Sequence, residues 1–198
     1  MNLIERVKNI IVTPKTEWET ISGEDQNLAS VITTYIVPLA IVGAVCTFIG
    51  YGFIGVSVGF FKMKGIEWGI KMAIIQLVSV LIGAVVTTYV VDALAPSFGS
   101  EKNINKSAQI VAYSYTPSLV GAFLTIFPVI SILGSLFGLY GIYLVYLGLG
   151  PMKKTPDDKK VIYMIVTFVV LIVISMIVGT ILSAILGTNV GASKFTIG

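Results

Sequence analysis

Residues Ser107 to Met152 read SAQIVAYSYTPSLVGAFLTIFPVISILGSLFGLYGIYLVYLGLGPM, without one charged side chain. A soluble core built from 198 residues cannot hide so long an apolar run. One crossing of the hydrocarbon layer takes about 20 residues, so the stretch accommodates two. Proline disfavours helix at the residue before it, which sets the hinge of a transmembrane hairpin at Phe127-Pro128. The first limb of that hairpin is unusually polar, and this makes it the most informative part of the chain.

The whole composition agrees. The chain is 56% hydrophobic and 12% charged, against about 25% charged in soluble domains, and its mean hydropathy is +0.94. An all-α, polytopic integral membrane bundle is predicted. The twelve lysines and single arginine lie outside the charge-free cores or at their edges, as snorkelling side chains do. The net charge of +3 is too small to argue for nucleic acid. With no histidine and one cysteine, Cys46, an intramolecular disulfide is impossible and His/Cys metal sites are excluded. No metal or other cofactor is expected. No cleavable signal peptide is expected either, because the N-terminal apolar residues alternate with charges.

Working toward the N-terminus, residues 1–27 read as a cytoplasmic interfacial segment holding one or two short amphipathic helices. Ile4, Val7 and Ile11 share one face, with Leu3 and Ile10, while Glu5, Arg6, Lys8 and Asn9 take the other. Thr13-Pro14 ends that helix. A second is predicted from Thr16, because Thr16 and Glu19 have capping-box spacing. Trp18 and Ile21 then face either the lipid, with Trp18 at headgroup level, or the bundle itself.

The five-span bundle is predicted over 28–187, with spans at about 30–50, 72–91, 107–126, 129–150 and 161–186. The glycine-rich stretch after the first span reads as a bent end, and residues 62–71, 93–106 and 153–160 as loops. Residues 188–198 form a short non-cytoplasmic tail. Pro38 sits inside the first span, where Thr33 or Thr34 is expected to satisfy the carbonyl it frees. Lysines and arginine divide nine to four in favour of a cytoplasmic N-terminus and an outer C-terminus. A multi-pass protein of the cell (inner) membrane follows if the source is prokaryotic.

Within the third span, Gln109, Tyr113 and Thr116 fall on one helical face, and Pro117 breaks the bond to the Tyr113 carbonyl. Ser114 or another helix must compensate. Such a cluster reads either as interhelical glue around a kink or as a functional site. Asp92, the only acid near a span, meets either water or a lysine such as Lys102 or Lys106. Small residues at four-residue spacing, Gly55 and Gly59, Gly134 and Gly138, and Gly179 and Ser183, permit close helix packing within the chain or between two copies. Tyr140, Tyr143 and Tyr146 read as an interfacial belt or packing stripe. Without histidine there is no serine–histidine triad and no HExxH site. Nothing in the sequence places a serine–lysine dyad, and an enzyme is not expected.

Several stretches, in order, resemble the Yip family, the multispanning proteins named for interaction with Ypt/Rab GTPases. They are TPKTEWETI (13–21), IVPLAI (36–41), VVDALAPSFGSEKNINKSAQIVAYSYTPSLV (90–120), the turn at Pro128, and LYGIYLVYLGLGPMKKTPDDKK (139–160). The prokaryotic branch, with its short N-terminus, is the more similar. The resemblance implies five transmembrane helices and a cytoplasmic N-terminus. It links eukaryotic members to Rab GTPases, vesicle budding and membrane shaping, and it carries over no catalytic residue. Two functions are therefore expected in competition. One is a non-enzymatic protein that organises the bilayer or recruits a cytoplasmic protein partner. The other is a small transporter or channel using the polar third span.

Overall fold

The computed structural model describes residues 2–58 and 61–185, with side chains except at 56–63, 128, 131, 132, 135, 175 and 178–185. Gly59 and the tail 188–198 lie outside the described residues, and Gly179 and Ser183 outside the described side chains. Two short helices come first, α1 (Leu3–Val12) and α2 (Pro14–Ser22). Asn2 caps α1, its side chain accepting from the Glu5 amide at 2.8 Å. α2 starts two residues earlier than the Thr16 capping box predicts. Pro14 takes its first turn, where the missing N–H is no loss.

A continuous helical run, Leu28–Ile54, follows. It comprises α3 (Leu28–Val31), a π turn (Ile32–Ile36), α4 (Val37–Ile49) and a second π turn (Gly50–Ile54). The first π turn absorbs Pro38, with the Val37 amide bonding back to the Ile32 carbonyl. The hydroxyls of Thr33 and Thr34 bond the Ala29 and Ser30 carbonyls instead of the one Pro38 frees. Gly55, at φ +81°, ends the run as a turn residue. A small antiparallel ladder, β1 (Val56–Val58) with β2 (Phe61–Met63), pairs Val56 with Met63. The other regular elements among the described residues are helical.

α5 runs over Ile66–Leu94, so part of the expected 62–71 loop is helix. Glu67 and Lys71 stand at i, i+4 in its first turns, an arrangement that supports a helix start. A 3-10 turn (Ala95–Phe98) leads to α6 (Ile104–Ser114) and α7 (Thr116–Gly121). Two further 3-10 turns, Ala122–Ile126 and Pro128–Leu133, flank the hinge at Phe127. α8 (Gly134–Lys153) and α9 (Asp157–Ile185) complete the described chain. Leu28–Ile54 and Ile66–Phe98 are long and apolar enough to cross a membrane by length and composition.

The burial pattern is inverted relative to a soluble domain. Ile74, Ile82, Val169 and Ile172 are exposed along α5 and α9, while Asp92, Ser107, Gln109, Thr116 and Lys153 are buried. Exposed apolar surface on this scale marks a membrane-facing wall. The packed core gathers Trp18, Ile21, Ile36, Tyr113, Leu144 and Tyr163 at the end that carries the N-terminal helices.

Candidate functional site

α6 is the central strut of that end, with every residue from Ser107 to Ser114 buried. One side of it seats the N-terminal helices. Arg6, 5% exposed, leaves α1 to bond Glu17 of α2 at 2.5 Å and Glu24 of the following loop. Its guanidinium also lies 5.2 Å from the Tyr113 ring centroid. The Tyr113 hydroxyl donates to Gln26 at 3.0 Å. Lys106 donates to the carbonyls of Ser22 and Glu24 at 2.8 and 2.9 Å, and Gln109 donates to the latter at 3.3 Å. The N-terminal pair is thus a cap bolted to the bundle by one arginine, two glutamates and the polar face of α6.

Apolar contacts complete the seat. Trp18 is fully buried, so the bundle covers it and not lipid headgroups. It stacks on α8 where Gly148 leaves room, and a Cβ there would come within 3.0 Å of the indole. From α8, Tyr140 donates to the Ile11 carbonyl at 2.7 Å. Ile10 and Ile21 are also buried, while Ile4 is 79% exposed and Val7 and Ile11 are half-buried. The apolar face of α1 therefore splits, with Ile10 turned to the protein and Ile4 and Val12 turned out.

The kink at Pro117 is resolved one residue before it. Thr116 donates to the Tyr113 carbonyl at 2.6 Å and meets the Tyr35 hydroxyl at 2.7 Å. Ser114, the expected compensator, leaves its hydroxyl with no partner among the described residues. Gln109, Tyr113 and Thr116 come together as the spacing predicts, but they face the cap and α3–α4.

The other side of α6 carries a second cluster. Asp92 lies within α5, and its partner is neither Lys102 nor Lys106. Lys153, at the end of α8 and wholly buried, approaches Asp92 Oδ1 at 3.1 Å and Ser107 Oγ at 2.5 Å. The Ser107 hydroxyl reaches Asp92 and the Asn103 carbonyl, each at 3.0 Å. Burial lowers the Lys153 pKa, and the Asp92 hydrogen bond and charge, then the Glu101 charge, push it back up. This is a serine beside a lysine, but not a poised nucleophile. Asp92 favours the ammonium, which has no lone pair to take a proton, and both Ser107 and Lys153 are closed to solvent. The triad instead ties α5, α6 and α8 together. Around it Ser100 bonds Thr155 at 2.8 Å, the Glu101 amide bonds the Lys153 carbonyl at 2.8 Å, and Lys154 pairs with Glu101 at the surface.

Arg6, Glu17, Glu24 and Lys153 are the residues that sequence reading missed. Their partners are 11 to 61 residues away, and no local pattern announces them. A further node, Thr47 with Gln76 and Thr125, lies deeper between α4, α5 and the hinge. The expected small-residue pairs are not the tightest contacts. Added Cβ atoms at Gly134 and Gly138 would meet ordinary neighbours at 3.4 and 3.7 Å, whereas Gly141 crosses α6 so closely that a Cβ would lie 2.7 Å from the Ser114 carbonyl oxygen. Among the described residues no three acidic or cysteine side chains converge on a metal-sized site.

Against known proteins, the family model of the Yip1 domain matches residues 8–186. No curated protein and no solved structure matches the chain.

Proposed function

The chain belongs to the Yip1 domain family, a family of multispan membrane proteins, and from that premise we propose a non-enzymatic protein whose N-terminal cap recruits a cytoplasmic protein partner at the membrane surface. In this reading five spans cross the bilayer, the N-terminus is cytoplasmic and the C-terminus outside. In the same reading the chain is of the prokaryotic-type branch and sits in the cell (inner) membrane. The observation that carries the proposal is the rigid seating of the cap through Arg6 and Trp18. That seating presents Ile4, Lys8 and Val12, an exposed stripe at i, i+4, i+8 of α1, in one fixed orientation. The transporter reading is weaker, because Tyr113 and Thr116 spend their hydrogen bonds on the cap and on neighbouring helices, and Gln109 donates to the cap while its Oε1 has no partner among the described residues.

The test is crosslinking and pull-down from native membranes with three forms: the full chain, Ile4→Ser/Val12→Ser, and a chain lacking residues 1–21. A specific partner held by the first and lost by the other two is the expected result. Equal capture by the stripe variant would refute the assigned surface. No partner in any form, together with solute flux in proteoliposomes, would favour transport. Substituting Gln109 or Tyr113 is not an independent control, since both belong to the seat of the cap.

A further inference from the structure

A cavity of 370 Å³ lies between α5, α6, α8 and α9, away from the cap. Its wall is apolar, with Ile110, Val145, Leu149 and Phe168 prominent. At its edge Thr87 bonds Tyr115 at 3.0 Å, the Tyr163 hydroxyl bonds the Val91 carbonyl, and Ser118 and Thr167 add two further hydroxyls. Ser114 is different. It lines the cavity, is 4% exposed, and its hydroxyl has no partner among the described residues. Buried hydroxyls without a partner are uncommon enough to need a reason. The cavity shares Thr87, Tyr115, Phe168 and Leu171 with a groove between α5 and α9, beside the exposed Ile82 and Ile172. Its entrance therefore faces the hydrocarbon layer, not the aqueous phase.

These features select a ligand class. The volume falls within the range of small-molecule sites, about 300–1,000 Å³. The lining holds no charged side chain, so a charged head would be buried unpaired at high cost. We propose that the cavity binds one neutral, single-chained amphiphile drawn sideways from the bilayer, its chain against Val145 and Phe168 and its hydroxyl or carbonyl bonded to Ser114.

The test uses the full chain in phosphatidylcholine vesicles and a long-chain alcohol carrying a diazirine in its tail, with labelled peptides mapped by mass spectrometry. Saturable labelling on α8 and α9 peptides around Val145 and Thr167 is expected. Unlabelled hexadecanol should compete, and hexadecyl phosphate should compete poorly. Val145→Phe, which fills the cavity, should abolish the saturable part. Ser114→Ala, which removes only an unbonded hydroxyl and so leaves folding intact, should weaken hexadecanol about two- to tenfold, the worth of one hydrogen bond. Hexadecane, with no head to bond, should compete equally against both forms. Non-saturable labelling spread evenly over the lipid-facing Ile74 and Ile82 would overturn the proposal as simple partitioning. Equal competition by hexadecanol in Ser114→Ala and the unsubstituted protein would also overturn it.

Discussion

Arg6→Ala removes the cation that Glu17 and Glu24 share. Deleting one partner of a buried ion pair costs about 3–5 kcal/mol, because the remaining charge is left uncompensated, whereas an exposed pair is worth about 0–1 kcal/mol. Glu17 has 6% of its side chain exposed and Glu24 28%, so Glu24 is discounted for solvent screening. The lower figure, about 3 kcal/mol, is the appropriate one. Undocking of the cap relieves that cost, since both carboxylates regain water while α5 to α9 keep their own contacts. At 1.4 kcal/mol per factor of ten, the undocked population should rise about a hundredfold. Hydrogen exchange in lipid nanodiscs reads this directly: amides of α1 and α2 should exchange about a hundredfold faster, and those of α5 should not change. An acceleration below about tenfold would mean that Arg6 behaves as an exposed pair, and the burial argument would fail. The triple variant Arg6→Met/Glu17→Gln/Glu24→Gln should recover much of the protection, because neutral groups of similar shape replace buried ion pairs at little cost.

Asp92→Asn leaves Lys153 without its counter-charge and should cost up to about 3–5 kcal/mol near neutral pH. Burial already holds the folded pKa of Lys153 below its ordinary 10.5, and the variant lowers it further. Between the folded and unfolded values the unfolded chain binds the extra proton, so stability rises with pH. The Tm deficit of Asp92→Asn should therefore shrink from pH 7 toward pH 10, and a pH-independent deficit would show that Lys153 charge is not the cause. Gly141→Ala drives a methyl into the Ser114 carbonyl and should cost about 1–3 kcal/mol, while Gly138→Ala should stay within about 0.5 kcal/mol, both read as thermal shifts in detergent. Thr116→Val strips the bonds to Tyr113 and Tyr35 and should cost about 1–3 kcal/mol, whereas Ser114→Ala loses no bond and should be neutral or slightly stabilising in lipid-free detergent.

The apolar runs, the hinge at Phe127 and the kink at Pro117 were legible because each is a local property of consecutive residues. The start of α5 was partly legible, since Glu67 and Lys71 have helical pair spacing, but a rule that reads charge as loop hides it. Periodicity alone puts Arg6 on the polar face of α1. It is buried because Glu17 and Glu24 arrive from a later turn of chain, a fact of tertiary geometry. The same holds for Lys153, which reads as part of a polar loop until α5 and α6 bring Asp92 and Ser107 beside it. Glycine spacing misled for a related reason. A four-residue repeat marks a smooth helix face, but only the crossing point decides which glycine is needed, and the close approaches include Gly50, Gly69, Gly141 and Gly148.

The seat of the cap also has a consequence in time. Tyr140 holds the Ile11 carbonyl across 129 residues of chain, and Trp18 rests on Gly148. At a synthesis rate of about 5–20 residues per second, the ribosome needs about 6–26 s after making α1 before its socket on α8 exists. The first helices made thus wait for a late one to complete their seat. During that interval Trp18 and the Ile11 carbonyl lack their α8 partners, and the amphipathic face of α1 gives the nascent segment the membrane surface as a waiting place until the hairpin that holds it is inserted.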